Sequence, residues 1–291
     1  MNAKTRSLDD LRHEVDEIDR QIHTLIQQRG GLAVEISEVK NRCGLDKVRP
    51  GREADLLREL VKRHKGSFPI GGVLRIWREI ISSVVTMEMP NYSIAVYAHD
   101  EHQGFWDLAR DQFGSQTPMT GHTNVRDAIS QVFKGEAAFA VVPRPTEDTP
   151  GLWWQYLCAP DAPQILYRLP FFGRGNARAG IGEVLDALAI GRMKPEETGK
   201  DCSAFVMETI GEFSRTGLAK FLSSADLQPM LMVPSGVGQQ LCYCEVKGFV
   251  ISNDARLRRL ESFDAIERLT VIGHYATPIG NLDNFATTFE K

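Results

Sequence analysis

The stretch SLDDLRHEVDEIDRQIHTLIQQRGGLAVEISEVKNRCG, residues 7–44, decides the fold of the N-terminal part of the chain. Its apolar residues recur at spacings of three and four, which predicts one long amphipathic helix. These residues are Leu8, Leu11, Val15, Ile18, Ile22, Leu25, Leu32, Ile36 and Val39. Ser7 with Asp10 forms a capping box, and Gly44 is suited to end the helix. A helix of about 50 Å cannot bury this stripe against so few neighbours, so we expect it to pair with a helix of another subunit.

A cation interrupts the stripe. The pattern would place an apolar residue at position 29, where the chain has Arg29. Lys40 follows three helical turns later, so both side chains leave the same face of the helix, about 16 Å apart. Because an unpaired buried charge is costly, Arg29 requires an anionic partner in the seam. The alternative is that Arg29 reaches the rim of a coiled coil and pairs with a surface carboxylate.

Two further predicted helices each carry an ionisable residue on an apolar face. In READLLRELVKRHKG, residues 52–66, Glu53 lies one turn before the apolar positions, and in FPIGGVLRIWREIISSVVTME, residues 68–88, the stripe runs on to Glu88. The apolar positions are Leu56, Leu57, Leu60 and Val61 in the first helix and Val73, Trp77, Ile80, Ile81 and Val84 in the second. Charges of both signs on three buried stripes favour one internal polar pocket, rich in Arg and Lys, that suits a small dicarboxylate. The alternative is a helical dimer whose buried charges only pair with each other.

Residues 7–89 resemble the all-helical chorismate mutases, which are intertwined homodimers of three-helix chains. The matching pieces occur in order and at matching spacing: LDDLRHEVDEIDRQIHTLIQQR, LAVEISEVK, RPGREADLL and WREIISSVVTMEMP. The resemblance extends to a bifunctional arrangement in which such a mutase is followed by prephenate dehydratase and an ACT regulatory domain. It implies a multidomain chain with a helical mutase domain over residues 1–90.

The resemblance also implies the chemistry, which is the rearrangement of chorismate to prephenate without metal or cofactor. Arg29 and Arg12 would bind the two carboxylates, with Arg12 coming from the partner chain. Lys40 would donate a hydrogen bond to the ether oxygen, and Glu88 would face that oxygen from the other side. Because a glutamate donates only while it is protonated, we expect the activity to fall as the pH rises.

Four further positions belong to the family motif: two carry the residue that the family has, and two differ from it. Arg52 and Glu53 match an Arg-Glu pair, in which the glutamate is expected to accept from the ring hydroxyl of the substrate. Arg49 stands where many members have aspartate, and Val84 stands where some have serine. The resemblance implies that these two changes alter substrate affinity more than chemistry.

Composition sets broad limits on the function. The chain has 291 residues, is 42% hydrophobic and 25% charged, and carries a formal net charge of -4, which is typical of a soluble globular protein with two or three domains. We expect no nucleic-acid or membrane partner and a cytoplasmic location, because the charge is not basic and no apolar run approaches 18 residues. The five cysteines have no metal-ligand spacing and are expected to be reduced thiols.

Residues 91–198 show a strand, helix, helix and strand with a short connection between the helices, which predicts a doubly wound half domain with a mainly parallel sheet. By resemblance this is a truncated, periplasmic-binding-like lobe of the dehydratase. Its motifs are replaced: AHDEHQGFW and VPRPTED stand where glycine-rich and PIENS-like turns are expected, and Asp186 with Ala187 stands where a Thr-Arg-Phe motif is expected. Without those side chains we expect no dehydratase chemistry.

Residues 199–291 show the order strand, helix, strand, strand, helix, strand, with the second helix over 255–269 and a hairpin turn over 235–239. This βαββαβ order is ferredoxin-like and resembles an ACT domain. Such domains bind phenylalanine, and the corresponding effector site would include Arg215, Thr216, Gly217 and Leu218. The second effector motif lacks its charged pair at Leu231 to Pro234, whereas pairing between ACT-like domains remains expected.

The sequence therefore predicts a homodimeric chorismate mutase in aromatic amino acid biosynthesis, with a non-catalytic regulatory or structural C-terminal region and an aromatic amino acid as effector. One alternative is a bifunctional enzyme with a divergent dehydratase site. Another is a non-catalytic helical dimerisation module fused to a small-molecule sensor.

Overall fold

The protein consists of a helical N-terminal unit followed by a large mixed α/β sheet, as seen in a computed structural model. The structure describes residues 6–99, 103–147, 151–173, 175, 177–178, 185–211, 214–235 and 241–280. The N-terminal helices are α1 (Leu8–Cys43), α2 (Pro50–Arg63) and α3 (Ile70–Glu88). They confirm the three helices predicted from the apolar periodicity.

Helix α1 has the predicted ends. The backbone N–H of Asp10 donates to Ser7 Oγ and the backbone N–H of Ser7 donates to Asp10 Oδ2, both at 3.1 Å. Gly44 ends the helix in the left-handed region, with φ of 62°. The apolar stripe of α1 is exposed in the single chain. Ser37, which does not belong to the stripe, is the one buried residue of this helix. Pairing of this face with a second subunit stays a prediction.

The most buried face of helix α3 is not the predicted apolar stripe. Trp77, Ile81 and Val84 of the predicted stripe are half-buried, whereas the buried face comprises Ile70, Leu74, Arg78, Ser82 and Val85. The reason is that the α/β part of the chain covers this second face: Leu74 shares a core with Phe171, and Val85 shares one with Tyr92. The predicted stripe remains on the side of α1 and α2.

Among the described residues, nine strands form one sheet in the order β2-β1-β3-β5-β4-β9-β6-β8-β7. The strands are β1 (Ile94–Tyr97), β2 (Met119–His122), β3 (Phe139–Pro143), β4 (Gln164–Leu169), β5 (Ala187–Gly191), β6 (Asp201–Thr209), β7 (Pro229–Pro234), β8 (Leu241–Lys247) and β9 (Ile266–Ala276). The remaining helices are α4 (Gly104–Phe113), α5 (Val125–Lys134), α6 (Arg215–Ser224) and α7 (Ala255–Glu261), and Trp153–Cys158 form a 3-10 helix.

The first half of the sheet differs from its prediction in two ways. The connection between α4 and α5 contains β2, which pairs with β1 in parallel. β1 and β3 are also parallel, but β5 pairs antiparallel with both β3 and β4, so the sheet is mixed rather than mainly parallel. β2 escaped prediction because its sequence, Met-Thr-Gly-His, has no apolar alternation.

The second half has the predicted βαββαβ element order, and its strands lie in the order β9-β6-β8-β7 with antiparallel neighbours. The predicted helix over 255–269 is too long, because α7 ends at Glu261 and β9 begins at Ile266. The predicted turn over 235–239 lies largely outside the described residues. β4 pairs with β9 between Ile165 and Gly273, so one sheet runs across the predicted boundary at residue 198.

Helix α2 connects the helical unit to the α/β part through side-chain hydrogen bonds and close packing. Arg58 Nη1 donates to Thr198 Oγ1 at 2.7 Å, and Arg58 Nη2 donates to the backbone carbonyls of Lys200 at 2.8 Å and Thr277 at 3.0 Å. Gly51 lies so close to the segment before β6 that an added Cβ would come within 2.9 Å of Glu196 Cβ. These contacts hold the start of α2 against the α/β part.

The five cysteines all lie in the described residues and form no disulfide bond with one another. Within the described part of the chain, no helix combines the length and the apolar character that crossing a membrane requires.

Candidate active site

A cavity of about 540 Å³ lies among the three N-terminal helices. It brings together all the site residues predicted in this part of the chain except Arg12, namely Arg29, Lys40, Arg49, Arg52, Glu53, Val84 and Glu88. The remaining described lining residues are Leu32, Ala33, Ile36, Lys47, Leu56, Trp77, Ile81 and Val85. A volume of this size is typical of a site for a small molecule.

Helix α1 supplies two of the cations, as its periodicity predicts. Arg29 and Lys40 both line the cavity and are half-buried. Burial lowers the pKa of the Arg29 guanidinium, because removal from water disfavours its charged form. In the described part of the chain no carboxylate forms an ion pair with Arg29. An anionic ligand would therefore gain from this side chain more than from an arginine that already has a partner.

The end of α1 fixes the ammonium group of Lys40. The left-handed conformation of Gly44 turns the chain back, so that Lys40 Nζ donates to the backbone carbonyl of Lys47 at 2.8 Å. Lys47 Nζ in turn donates to the backbone carbonyl of Glu88 at 2.6 Å. Lys40 Nζ lies 3.7 Å from Glu88 Oε2. This arrangement holds a cation and a carboxyl group together at one end of the cavity.

The Glu88 carboxyl group is 6% exposed. Its Oε2 atom is buried and has no hydrogen-bond partner among the described residues. Buried polar atoms are nearly always hydrogen-bonded, so this atom needs a partner that the described residues do not supply. A ligand in the cavity could be that partner.

Glu53 is held by residues of α3 and β4. Arg78 Nη1 donates to Glu53 Oε2 at 2.8 Å, and the Tyr167 hydroxyl donates to the same oxygen at 3.1 Å. Burial raises the pKa of the Glu53 carboxyl, and the charge of Arg78 and the hydrogen bonds from Tyr167 and Arg78 oppose that rise. The Glu53 carboxylate thus lies in a largely buried environment, in which its two hydrogen-bond donors fix its orientation.

The two other predicted arginines differ in their surroundings. Arg49 forms an ion pair with Glu196, at 2.6 Å between Arg49 Nη2 and Glu196 Oε1. Glu196 belongs to the segment between β5 and β6, so the α/β part neutralises this cation at the rim. Arg52 is exposed and lines the mouth of the cavity.

The described lining carries five cations and two carboxylates, so its charge is positive. Arg78 and Glu196, both outside the lining, offset Glu53 and Arg49 respectively. No serine, cysteine or histidine occurs among the lining residues that the structure describes. The cavity is therefore suited to bind and polarise a small anion, without a serine, cysteine or histidine nucleophile among its described lining residues.

The remaining predicted site residues lie elsewhere. Arg12 is exposed near the start of α1, where it forms a 3.5 Å ion pair with Asp9, so one chain alone does not bring it to the cavity. The predicted effector residues Arg215, Thr216, Gly217 and Leu218 form the first turn of α6. Leu218 is buried there, and the side chain of Arg215 lies outside the described part. Effector binding stays a prediction.

The replaced motifs of the α/β part meet in a charge cluster. Asp186 binds both Arg144, at 2.9 Å, and Arg168, at 2.7 Å. Arg144 also binds Glu245, which is completely buried and accepts from the hydroxyls of Tyr243 at 2.7 Å and Tyr275 at 2.8 Å. The charged groups of this cluster therefore satisfy one another.

Four residues near the cavity were not predicted: Lys47, Arg78, Tyr167 and Glu196. The sequence alone could have identified Arg78, because this residue lies one helical turn from both Leu74 and Ser82 on a single helix face. Tyr167 and Glu196 had none, because they approach α2 from sequence positions more than 100 residues away.

Comparisons with known proteins find relatives of the helical N-terminal unit. The family described as chorismate mutase type II matches residues 11–89. The chorismate mutase of Methanocaldococcus jannaschii is 39% identical over 67 residues, which are 22% of this chain and 68% of that protein. The bifunctional chorismate mutase/prephenate dehydratase of Aquifex aeolicus is 31% identical over 140 residues, which are 47% of this chain and 38% of that protein. This chain thus spans less than two fifths of the length of that bifunctional relative.

Among solved structures, prephenate dehydratase from Streptococcus mutans is similar to 65% of this chain and 99% of its own, with a TM-score of 0.46 and 13% identity.

Proposed function

This chain belongs to the type II chorismate mutase family through its N-terminal helices, and we propose that it catalyses the rearrangement of chorismate to prephenate. The observation that carries the proposal is the gathering of Arg29, Lys40, Glu53 and Glu88 around one cavity of about 540 Å³. The reaction breaks one C–O bond and forms one C–C bond within a single molecule, so it requires no nucleophile. A protein can accelerate it by holding the reactive conformer and stabilising charge at the ether oxygen.

In the proposed complex, Arg29 binds one carboxylate of chorismate and Arg12 of the partner subunit binds the other. A guanidinium fixes the orientation of a carboxylate with two parallel hydrogen bonds, which an ammonium group does not. The lowered pKa of Arg29 supports this role, because the desolvated cation is stabilised when an anion enters. Arg52 and Lys47 add positive charge to the cavity that would attract the dianion.

Lys40 is proposed to donate to the ether oxygen as the C–O bond breaks. One of its three ammonium protons is used by the carbonyl of Lys47, which aims the group and leaves donors for the substrate. Glu88 is proposed to face the same oxygen from the other side, and its buried Oε2 atom, which has no hydrogen-bond partner among the described residues, supports this role. Glu53 is proposed to accept from the ring hydroxyl.

The direct test is to incubate the purified chain with chorismate and follow its loss together with formation of prephenate. Arg29→Ala is expected to abolish turnover while the chain remains folded. Equal turnover in wild type and Arg29→Ala, or none in either, would overturn the proposal. A second incubation with prephenate, assayed for phenylpyruvate, tests the bifunctional alternative. No phenylpyruvate is expected, because Asp186 and Arg144 occupy each other.

We further propose that the chain is a homodimer paired through α1. Support comes from the exposed apolar side chains along this helix, which a soluble chain needs to cover. They are Leu8, Leu11, Val15, Ile18, Ile22, Leu25, Ile26, Leu32, Val34, Ile36 and Val39. In such a dimer each active site would combine Lys40 of one subunit with Arg12 of the other.

A complementation experiment tests this shared site. Arg12→Ala and Lys40→Ala are each expected to be nearly inactive. When the two variants are co-expressed, about half of the dimers are mixed, and each mixed dimer contains one site with both residues intact. We expect the preparation to regain about a quarter of the wild-type kcat. Separate expression followed by assay at the same total concentration is the control, and no recovery on co-expression would contradict the shared site.

The proposed role of Glu88 is tested by substitution. Glu88→Ala removes the polar group that faces the ether oxygen and should lower kcat/KM about 100-fold, whereas Glu88→Gln keeps a hydrogen-bond donor there and should retain activity. The matched control is Glu59→Ala, because Glu59 is an exposed residue of α2 that pairs with Lys62. Wild-type kcat/KM in Glu88→Ala would contradict this role.

For the remainder of the chain we propose a regulatory or structural role, with an ACT-like unit at the C-terminal end that binds an aromatic amino acid. Its βαββαβ order and antiparallel strand order support this proposal. Thermal unfolding in the presence of phenylalanine, tyrosine and tryptophan tests it, since a ligand of the folded state raises the midpoint. An unchanged midpoint with all three would contradict effector binding.

A further inference from the structure

We propose that Tyr167, from β4 of the α/β part, is a positioning residue for Glu53 of the mutase cavity. The inference rests on the proposed function, in which Glu53 accepts from the ring hydroxyl of the substrate. It assigns to the α/β part a direct role in the N-terminal active site.

The geometry at Glu53 carries this inference. Glu53 comes from α2, Arg78 from α3 and Tyr167 from β4, and both donors meet Glu53 Oε2, at 2.8 Å and 3.1 Å. Arg78 and Tyr167 are only 3% and 4% exposed, so water does not replace either donor readily. Two donors on one oxygen fix the rotation of the carboxylate and leave its other oxygen for a donor from the cavity.

Arg78 alone would hold the carboxylate less well. Its guanidinium lies over the ring of Phe171, with 5.4 Å between Cζ and the ring centroid, and its Nε atom is buried without a hydrogen-bond partner among the described residues. Arg78 thus makes one hydrogen bond to Glu53 and presents no bidentate fork. The Tyr167 hydroxyl supplies the second donor that defines the plane of the carboxylate.

The charges around Glu53 determine how the pH acts on it. Arg78 from α3, Lys40 from α1 and Tyr167 from β4 lower the pKa of its carboxyl, and burial raises it further than they lower it. Burial and the Glu53 charge raise the pKa of both Tyr92 and Tyr167 well above the usual range. Both phenols therefore stay protonated over the range of an enzyme assay.

The raised pKa of Glu53 determines the direction in which activity changes with pH. Because Glu53 acts as an ionised acceptor and its pKa is raised, activity is lost as the pH falls through that pKa. Removing the Tyr167 hydroxyl removes a donor to the ionised form, so the pKa should rise further. The acid limb of the kcat/KM profile should then move to higher pH.

The experiment compares Tyr167→Phe with wild type in kcat and KM from pH 5 to 9. We expect the acid limb to move up by about one pH unit, which corresponds to the loss of one hydrogen bond to a charged group. Along the acid limb KM should rise up to about tenfold, with a smaller change in kcat, because the ring hydroxyl is bound in both the ground and transition states. The alkaline limb should not move.

Tyr243→Phe is the matched control. Tyr243 is also a buried tyrosine of the same sheet that donates to a buried glutamate, at 2.7 Å to Glu245 Oε1, but it lies outside the cavity. Both variants should lose similar thermal stability, and only Tyr167→Phe should shift the pH profile. A profile and KM that match wild type in Tyr167→Phe, or an equal shift in Tyr243→Phe, would overturn the inference.

A direct titration separates this inference from the proposed function. In protein labelled with ¹³C at the glutamate carboxylates, the Glu53 signal is assigned by its absence in Glu53→Gln. Tyr167→Phe should raise the titration midpoint of that signal by about one pH unit. This shift in a chain that fails to convert chorismate would reject the proposed function and leave the contact between Tyr167 and Glu53 supported. Turnover with no shift would reject the inference alone.

Discussion

Replacing Lys40 with alanine is expected to lower kcat for chorismate about 100- to 1,000-fold, which is the usual cost of removing one donor to a developing negative charge. The ammonium group is held in place before substrate binds, because Lys47 O accepts from it at 2.8 Å and Glu88 Oε2 lies 3.7 Å away. A donor fixed in this way acts mainly on the transition state, in which the ether oxygen gains charge. The loss should therefore appear in kcat more than in KM.

The matched control for Lys40→Ala is Lys62→Ala. Lys62 is an exposed lysine of α2 that pairs with Glu59 at 3.6 Å, so its replacement removes the same charge without touching the cavity. Single-turnover and steady-state kinetics of both variants distinguish loss of chemistry from loss of binding. A Lys40→Ala enzyme with kcat within threefold of wild type would remove Lys40 from the proposed mechanism.

The second large effect concerns stability. Arg144→Ala is expected to lower the free energy of unfolding by about 3–5 kcal/mol, because it leaves the completely buried Glu245 carboxylate without a counter-ion. The hydroxyls of Tyr243 and Tyr275 still donate to this carboxylate, but neither neutralises its charge. The midpoint of thermal unfolding should fall by about 10 °C. Calorimetry and urea denaturation measure both quantities.

Two comparisons isolate the cause of this loss. Arg259→Ala breaks an exposed ion pair with Asp226, at 3.0 Å, and should cost less than about 1 kcal/mol. Adding Glu245→Gln to Arg144→Ala removes the buried charge and should recover most of the lost stability. If Arg144→Ala and Arg259→Ala prove equally stable, the cluster does not depend on the buried carboxylate.

The sequence predicted the helices and most of the cavity, because the signals involved are local. The periodicity of α1 alone places Arg29 and Lys40 on one face, and the cap residues Ser7 and Gly44 define its ends. The structure brings these two cations to one cavity with Glu53 and Glu88. Arg29 interrupts an apolar stripe, Lys40 shares its helix face, and Glu53 and Glu88 lie at the ends of theirs. These signals lie within single helices, so one sequence was sufficient to identify the four residues.

The supports of that cavity could not be predicted in the same way. The buried face of α3, with Arg78, is defined by packing against a part of the chain that follows it in sequence. Tyr167 looks like an ordinary aromatic residue of a buried strand, and only the fold places its hydroxyl 3.1 Å from Glu53. The single sheet was missed for a similar reason, because the pairing of Ile165 with Gly273 joins strands about 100 residues apart.

The hydrogen bonds of Arg58 determine which mutations the contact between α2 and the C-terminal half can tolerate. Two of the three acceptors that Arg58 has in the α/β part are the backbone carbonyls of Lys200 and Thr277, which every residue type retains. Mutations can therefore accumulate in the side chains of the C-terminal half without loosening its hold on α2. Selection acting on the proposed mutase site would then preserve the fold of the C-terminal half while its side chains change.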